Sequence, residues 1–415
     1  MIYLDHAAAT PVDKRVLEAM RPYFADQFFN PSAAYLPAKK VSADYEAAKA
    51  TIAHAIGAKA SDLVITAGAT EANNLAFTAI SRESVDIFWG APEVTTEVAR
   101  GGSPVTTGRA DPGPKKLSTD YRVLYLETEH DSIRAVATRY GGISVKVLPN
   151  GLIDLEDLKT KITDETELIS VALVNNELGT IQPLAEIARL IRGIKLDRLK
   201  RGVKTQLLLH SDASQALNLL DINVSRLGVD LLTLNSAKIY GPKGVGALYV
   251  SHDAKLNPLT VGGGQENGLR SGTENVPGVI GFAKAVEIAK EHLNGNRKKY
   301  ANWRKIMLGE LKDYELVNKK HVLDNFIVLC YNGIDAERLI FLLEEKDVYV
   351  ATGAACAASK GVRSHVLKAI GLSDSEIAGS LRISLGETNN EEQIHRAAKI
   401  INEIVSFERK RISHE

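Results

Sequence analysis

The chain has 415 residues, 45% of them hydrophobic and 25% charged, so it can bury a large core, and its length predicts at least two domains. Lysine plus arginine equals aspartate plus glutamate at 51 each, and no apolar run is long enough to span a bilayer, which disfavours nucleic acid and membranes as partners. The two cysteines, Cys330 and Cys356, are too few for a disulfide framework and lack zinc-site spacing, so we expect a cytoplasmic protein without a metal.

The N-terminal residues predict an arm followed by two helices. Residues 4–11 are typical of a short strand or arm that leads into an amphipathic helix from about Asp13, and a second helix is predicted over residues 38–56. Asn30 lies between these helices, directly before a proline. Its amide could contact a ligand, although an asparagine in this position is more often explained by turn chemistry.

A strand predicted over residues 62–66 leads into a turn of small residues that opens a helix. Gly68, Ala69 and Thr70 place backbone N–H groups and a hydroxyl at the start of this helix, where a phosphate is readily bound. The alternative is simple helix capping by Thr66 or Thr70.

Residues from about 84 to 120 show no sustained helix or strand period, which predicts an exposed insertion. After it, strands that end in polar residues alternate with helices, a pattern typical of a mostly parallel sheet flanked by helices. Ligands bind beyond the carboxyl ends of the strands in such sheets. We therefore expect five polar residues to converge there: Thr70, His130, Asn176, Asp212 and Lys238.

Lys238 stands at the turn between two apolar runs in residues 229–250. A lysine held at the mouth of a sheet can be desolvated, which lowers its pKa and frees the amine for a Schiff base with a carbonyl cofactor. The alternative is an ordinary solvated lysine in a loop.

The last part of the chain follows a different pattern. A helix from about Pro277 is long enough to link two domains, and shorter strands and helices alternate after it, which predicts an α+β domain. Cys330 lies in an apolar strand pattern, so we expect an inert core thiol. Cys356 instead lies among small residues, with Lys360 and Arg363 near enough in sequence to favour a thiolate.

Eight short motifs occur in an order that resembles one enzyme family. They are LDHAAATP at 4–11, AGATE at 67–71, TEH at 128–130, VNNELG at 174–179, SDASQ at 211–215, KIYGPKG at 238–244, LRSGT at 269–273 and LRISLG at 381–386. With these motifs, nearly the whole chain outside the insertion resembles fold-type I pyridoxal-phosphate (PLP) enzymes, and among them cysteine desulfurases of the NifS/IscS type in the class V aminotransferase family.

The resemblance implies an α/β fold, that of the fold-type I PLP-dependent transferases. A large domain over residues 13–262, including the insertion, would carry a mostly parallel seven-stranded sheet between helices. Residues 263–415, together with the arm 1–12, would form a smaller α+β domain. The implied activity converts L-cysteine to L-alanine and leaves the sulfur on Cys356 as a persulfide, for iron–sulfur cluster assembly or other sulfur trafficking through an acceptor protein.

The resemblance also assigns residues to the cofactor. Lys238 matches the lysine that forms the Schiff base with PLP, Asp212 the carboxylate that pairs with the pyridinium nitrogen, and His130 an imidazole that stacks on the ring and is a candidate proton relay. A structural histidine at a strand end is the alternative for His130. The other implied cofactor residues are Asn176, Gln215, Gly68, Ala69, Thr70, Asn235, Ser236 and, from the other subunit of a homodimer, Thr273.

For the substrate, Arg382 matches the arginine that binds the α-carboxylate, a task suited to a bidentate guanidinium. An exposed arginine on a strand is the alternative. Asn176 and Asn30 complete the implied substrate contacts, and Cys356 matches the persulfide cysteine of the subgroup with the longer loop.

Two features depart from the family pattern. The family usually has a histidine where this chain has Ala237, and losing its contact with the phosphate would weaken cofactor binding by ~1.5 to 3 kcal/mol unless Asn235 or Ser236 compensates. The insertion is the other departure, and the acceptor stays open between an iron–sulfur scaffold, a tRNA thiolation factor and another carrier. The alternatives to a desulfurase are a selenocysteine lyase or another class V aminotransferase or lyase, and a non-catalytic partner protein with the same fold.

Overall fold

The computed structural model describes residues 1–80, 122–352 and 363–414. The predicted insertion at about 84–120 and Cys356 lie outside these ranges. The strands described are β1 (Ile2–Tyr3), β2 (Leu63–Thr66), β3 (Val123–Leu126), β4 (Ile143–Val145), β5 (Leu168–Ser170), β6 (Leu208–Asp212), β7 (Leu231–Asn235), β8 (Gly246–Val250), β9 (Glu315–Leu316), β10 (Phe326–Cys330), β11 (Val348–Tyr349), β12 (Ala351–Thr352) and β13 (Ser380–Ser384). The α-helices described are α1 (Lys14–Met20), α2 (Pro22–Ala25), α3 (Leu36–Ala55), α4 (Ala69–Phe77), α5 (Asp131–Arg139), α6 (Leu155–Lys161), α7 (Leu184–Arg201), α8 (Val224–Leu227), α9 (Val276–Glu310), α10 (Ala336–Glu344), α11 (His365–Ala369), α12 (Asp374–Ala378) and α13 (Glu391–Ser413).

The central sheet has seven strands in the order β2-β8-β7-β6-β5-β3-β4. Neighbouring strands from β7 to β4 are parallel, and β8 runs antiparallel to both of its neighbours. Every residue of β2, β5 and β6 is buried, as expected for strands of a sheet that is covered on both faces. The predicted α/β fold with a mostly parallel seven-stranded sheet is therefore confirmed.

A second sheet has the antiparallel order β12-β13-β10-β9, and β1 pairs in parallel with β11. Asp5 forms an isolated parallel bridge with Ser384, the last residue of β13. The N-terminal arm therefore packs with strands that lie more than 300 residues later in the sequence.

The longest helix, α9, packs against α1 and α3 and also against α13 near the C-terminus. Its buried side chains include Phe282, Tyr300 and Trp303, so tertiary packing as well as helix propensity stabilises a helix of this length. Among the helices described, none combines the length and apolarity that a bilayer crossing requires.

Helix α7 is longer than its sequence pattern predicts. The pattern indicates a helix over residues 184–194, but α7 continues to Arg201. Gly193 is accommodated inside the helix, and Gly202 ends it with a left-handed φ of 76°, a conformation that costs glycine little.

Candidate active site

A cavity of about 280 Å³ opens at the carboxyl ends of the parallel strands β3, β5, β6 and β7, where ligands of such sheets bind. Its walls come from the turns that follow these strands, from the start of α4, from the N-terminal arm and from β13. The sequence-predicted residues that line it are Ala69, Thr70, His130, Asn176, Asp212, Gln215, Asn235, Lys238 and Arg382. The expected convergence of polar residues at this edge is therefore present.

Lys238 ends a short 3₁₀ turn that follows β7 directly. Its Nζ donates hydrogen bonds to the carbonyl oxygens of Ala7 at 2.8 Å and Ala8 at 2.6 Å, and the side chain is only partly exposed. The amine is thus held at the cavity by the N-terminal arm, so the alternative of a solvated loop lysine does not describe it.

Asp212, the last residue of β6, is 9% exposed and faces the cavity. Its Oδ1 accepts the backbone N–H of Ser214 at 2.8 Å, and its Oδ2 accepts the Asn73 amide at 2.9 Å. Each carboxylate oxygen has two lone pairs, so each of the two can still accept one further donor.

Asn73 is a site residue that the sequence reasoning missed. It is fully buried on α4, and its Nδ2 donates to both Asp212 and the Ser132 hydroxyl, each at 2.9 Å. Asn73 lies three residues after Thr70, so both residues share one face of α4, and this spacing could have identified it.

His130 is both a helix cap and a cavity residue. Its Nδ1 accepts the backbone N–H of Ser132 at 3.1 Å and so caps α5. In the neutral ring the proton then resides on Nε2, because Nδ1 acts as the acceptor. The structural role considered for His130 is real, and it fixes the imidazole at the cavity wall.

The start of α4 has the features of an anion site. Gly68 is the N-cap, with φ 133°, and no side chain caps this helix; the Thr66 hydroxyl donates to the Gly68 carbonyl oxygen instead. Capping by Thr66 or Thr70 is therefore not observed. Ala69 and Thr70 line the cavity at this helix terminus, where the peptide dipoles favour a negative charge.

Three further predicted residues lie at the cavity wall or directly beside it. Gln215 donates through Nε2 to the Ala7 carbonyl oxygen at 3.0 Å. Asn235 accepts the Ala237 backbone N–H through Oδ1 at 3.1 Å. Ser236 is fully buried beside the cavity, and its hydroxyl has no hydrogen-bond partner among the described residues.

Arg382 lies in the middle of β13 with only 3% of its side chain exposed. Its Nη1 donates to the Asn176 carbonyl oxygen at 3.0 Å, and its Nη2 donates to Asp5 Oδ1 at 2.7 Å. Its Nε is buried and has no partner among the residues that the structure describes. The alternative of an exposed strand arginine is therefore wrong.

Two acidic residues beside the predicted ones were also missed. Glu129 is 1% exposed, and burial, with the Asp212 charge as a second cause, raises its pKa well above the usual range. Its Oε1 accepts the Ala172 N–H at 2.6 Å. Burial also raises the pKa of Glu177 to about 7, although the Ser364 hydroxyl donates to it at 2.5 Å. Both residues belong to motifs that the sequence displays, TEH and VNNELG, but neither motif indicates that Glu129 is buried and Glu177 half-buried.

His365 contributes a second imidazole to the cavity wall. Its Nε2 lies 3.0 Å from the Glu129 carbonyl oxygen, and burial lowers its pKa. Neither His365 nor its neighbour Ser364 was predicted, because neither belongs to one of the eight motifs that the sequence displays.

Some predicted residues are not brought to this cavity. Asn30 is exposed, and its Oδ1 accepts the Ser32 backbone N–H at 2.9 Å, which is the turn chemistry considered as the alternative. Thr273 lines a separate cavity of about 160 Å³ with Glu266 and Arg270. Within the ranges described, no group of three or more His, Cys, Asp or Glu residues could hold a metal ion.

The residues present fit PLP. The helix terminus at Thr70 suits its phosphate, the Lys238 amine suits its aldehyde, and Asp212 can accept from its ring nitrogen. Two residues that line the cavity, Ser214 and Arg382, each hold a buried polar atom, Oγ and Nε respectively, without a partner in the described chain. Such atoms are costly unless a ligand pairs with them.

Comparison with known proteins gives one family. The sequence model of the aminotransferase class-V family matches residues 2–97 and 105–397. Cysteine desulfurase IscS 1 of Archaeoglobus fulgidus is 34% identical over 412 residues, covering 98% of this chain and 97% of that protein. A solved NifS-like protein has a TM-score of 0.81 at 28% identity and covers 98% of this chain and 99% of its own. The NifS-like protein from Rickettsia africae has a TM-score of 0.79 at 27% identity, with the same coverage.

Proposed function

Because this chain belongs to the aminotransferase class-V family, we propose that it is a PLP-dependent cysteine desulfurase that converts L-cysteine to L-alanine. One observation carries the proposal: a held lysine amine, a buried carboxylate and a buried arginine line a single cavity, at Lys238, Asp212 and Arg382. The relatives that share nearly the whole chain length are named cysteine desulfurases, which supports the same reaction.

The cofactor would be held at two points, its phosphate and its ring nitrogen. Ala69 and Thr70 at the start of α4, with Gly68 and Ser236 behind them, would bind the phosphate. Asp212 would accept from the ring nitrogen, with Asn73 fixing its orientation. When bound, PLP supplies an aldehyde that reacts with primary amines and a protonated ring that accepts an electron pair from the substrate.

Around the ring, His130 would stack on one face, while Asn176 and Gln215 would contact the phenolic oxygen. Lys238 would move the proton at the substrate Cα, since its amine is positioned by two backbone carbonyls of the N-terminal arm. Asn235, which already orients the turn before Lys238, completes this set.

For the substrate, Arg382 would bind the α-carboxylate, with the Asn176 side chain beside it and Asn30 as a further candidate from outside this cavity. The Cys356 thiolate would attack the substrate sulfur. The carbon–sulfur bond then breaks, its electron pair stays on carbon, which takes up a proton, and the sulfur remains on Cys356 as a persulfide. L-cysteine plus the Cys356 thiol thus gives L-alanine plus the persulfide, and no external oxidant or reductant is needed.

The quaternary arrangement is a further part of the proposal. We expect a homodimer in which Thr273 contacts the phosphate bound by the other subunit. Its position outside the main cavity supports this, as do exposed apolar side chains at Phe28, Leu36 and Val261 that an interface would cover.

We also propose a large domain over residues 13–262 and a small domain made of 1–12 and 263–415, a division that the separate seven-stranded and four-stranded sheets support. A cytoplasmic location would keep Cys356 reduced and competent for each turnover. The sulfur acceptor would be another protein, such as an iron–sulfur scaffold, a tRNA thiolation factor or another carrier.

The proposed function is tested by product analysis. Purified protein loaded with PLP should release L-alanine from L-cysteine alone, and Lys238→Ala should lose both this release and the cofactor absorption that borohydride abolishes. Parallel reactions with L-selenocysteine, and with a keto acid as amino acceptor, separate the alternatives. Turnover only with selenocysteine, or only with the keto acid, would contradict a cysteine desulfurase.

A further inference from the structure

Two contacts within the chain fix the orientation of the Arg382 guanidinium. Two of its three guanidinium nitrogens are engaged by atoms of the chain itself, Nη2 by Asp5 Oδ1 at 2.7 Å and Nη1 by the Asn176 carbonyl oxygen at 3.0 Å. Nε is buried and has no partner in the described residues. The guanidinium plane is therefore fixed by two acceptors, while part of its donor fork stays available.

We propose that Asp5 is a positioning residue for substrate recognition, whose carboxylate holds the Arg382 guanidinium in the orientation that receives the substrate α-carboxylate. This inference rests on the proposed function, because it takes Arg382 as the carboxylate-binding group. Asp5 does not line the cavity itself and acts only through Arg382.

The backbone around Asp5 is fixed to the strand that carries Arg382. The Ser384 N–H donates to the Leu4 carbonyl oxygen at 2.7 Å, and the Ala7 N–H donates to the Ser384 hydroxyl at 2.9 Å. Ser384 lies two residues after Arg382, so their side chains lie on the same side of β13. The arm is thereby held in register with β13, and the Asp5 backbone cannot move away from Arg382 without breaking these bonds.

Charge and burial explain why a carboxylate stands at this position. The Arg382 side chain is 3% exposed and that of Asp5 is 18% exposed, so the pair is largely removed from water. A buried guanidinium without a counter-charge is strongly unfavourable and would turn toward other acceptors. Before substrate binds, Asp5 provides the counter-charge. When substrate binds, Asp5 still occupies one edge of the Arg382 guanidinium, so the substrate carboxylate meets the remaining donors.

The same arm also holds Lys238 and Gln215 through the Ala7 carbonyl oxygen. The contacts of Asp5 and of Ala7 are separate, however, because one is a side-chain ion pair and the other uses backbone oxygen. Changing the Asp5 side chain therefore addresses carboxylate recognition and leaves the acceptors of Lys238 in place.

The test uses the PLP-loaded full-length protein and two ligands that differ only in the carboxylate. L-alanine and ethylamine are titrated by calorimetry, and KM and kcat for alanine release from L-cysteine are measured in parallel. Asp5→Ala should weaken L-alanine binding and raise KM at least about tenfold, with ethylamine binding and kcat little changed. Asp5→Asn keeps an acceptor oxygen without the charge and should show a smaller loss in the same direction.

Asp13→Asn is the matched control, since Asp13 lies close in sequence, is 19% exposed and also pairs with an arginine. Its partner Arg15 is 45% exposed, and neither residue lines the cavity. Unchanged or tighter L-alanine binding in both Asp5 variants would overturn the proposal, and so would equal losses for L-alanine and ethylamine, which indicate a purely structural role. Should Asp5→Ala fail to fold, Asp5→Asn decides alone. A wild-type protein that releases no alanine refutes the proposed function instead, while the two ligand titrations still test Asp5.

Discussion

Replacing Glu177 with glutamine should change how stability depends on pH. Burial holds the pKa of the folded Glu177 at about 7, against an ordinary value of 4.5, while Arg382 and the Ser364 hydroxyl act in the opposite direction and do not cancel it. Below pH 4.5 the carboxyl is protonated in both the folded and the unfolded chain. Between about 4.5 and 7 the unfolded chain releases the proton first, so the free energy of unfolding falls as pH rises.

The magnitude follows from that interval. The span from 4.5 to about 7 at 1.36 kcal/mol per pH unit corresponds to about 3 kcal/mol, and partial exposure of the side chain to the cavity reduces it toward about 2 kcal/mol. Glutamine cannot ionise, and it still offers an acceptor to Ser364. As the pH rises from 5 to 8, the free energy of unfolding of the wild type should therefore fall by about 2 kcal/mol relative to that of Glu177→Gln.

The measurement is urea unfolding of both proteins at pH 5 and pH 8, at equal protein and cofactor concentration. Glu18→Gln, at an exposed position on α1, controls for the loss of one carboxyl charge and should show no such change. The reasoning is refuted if wild type and Glu177→Gln change in parallel between the two pH values.

Two further substitutions test the cofactor contacts. Asn73→Ala removes the amide that donates to Asp212 Oδ2. Because a hydrogen bond to a charged group is worth ~1.5 to 3 kcal/mol, the rate of alanine release should fall by about tenfold to a hundredfold. An unchanged kcat would contradict this role. Ala237→His adds an imidazole beside the proposed phosphate position and should tighten PLP binding about tenfold in equilibrium dialysis, whereas unchanged affinity would mean that Ser236 already compensates.

The sheet and the convergence of site residues could be predicted because both follow from local patterns. Apolar strands that end in polar residues and alternate with helices indicate a parallel sheet, and such a sheet brings its carboxyl ends to one edge. Thr70, Asp212 and Lys238 meet there for this reason, although long stretches of sequence separate them.

The rest of the site depends on contacts that leave no local pattern. Asp5 and Arg382 are 377 residues apart, and their pairing requires the arm to lie against β13. Lys238 is held by backbone carbonyls, which any residue would supply. Glu129 and Glu177 could be recognised as motif members, but their raised pKa values come from burial, which only the folded chain determines.

Cys330 shows where sequence reasoning about a single residue was sufficient. An apolar strand predicts a core thiol, and the structure buries it on β10, where burial raises its pKa to about 11. Such a thiol stays protonated and is a poor nucleophile. Sulfur transfer is therefore expected at the other cysteine of the chain.

The central claim is tested most directly by the mass of the peptide that contains Cys356 after the PLP-loaded protein is incubated with L-cysteine and its thiols are trapped. One added sulfur atom is expected on this peptide, none on the peptide that contains Cys330, and none on either peptide in Lys238→Ala. Alanine release without added sulfur on Cys356, or sulfur found on Cys330 instead, would contradict the account.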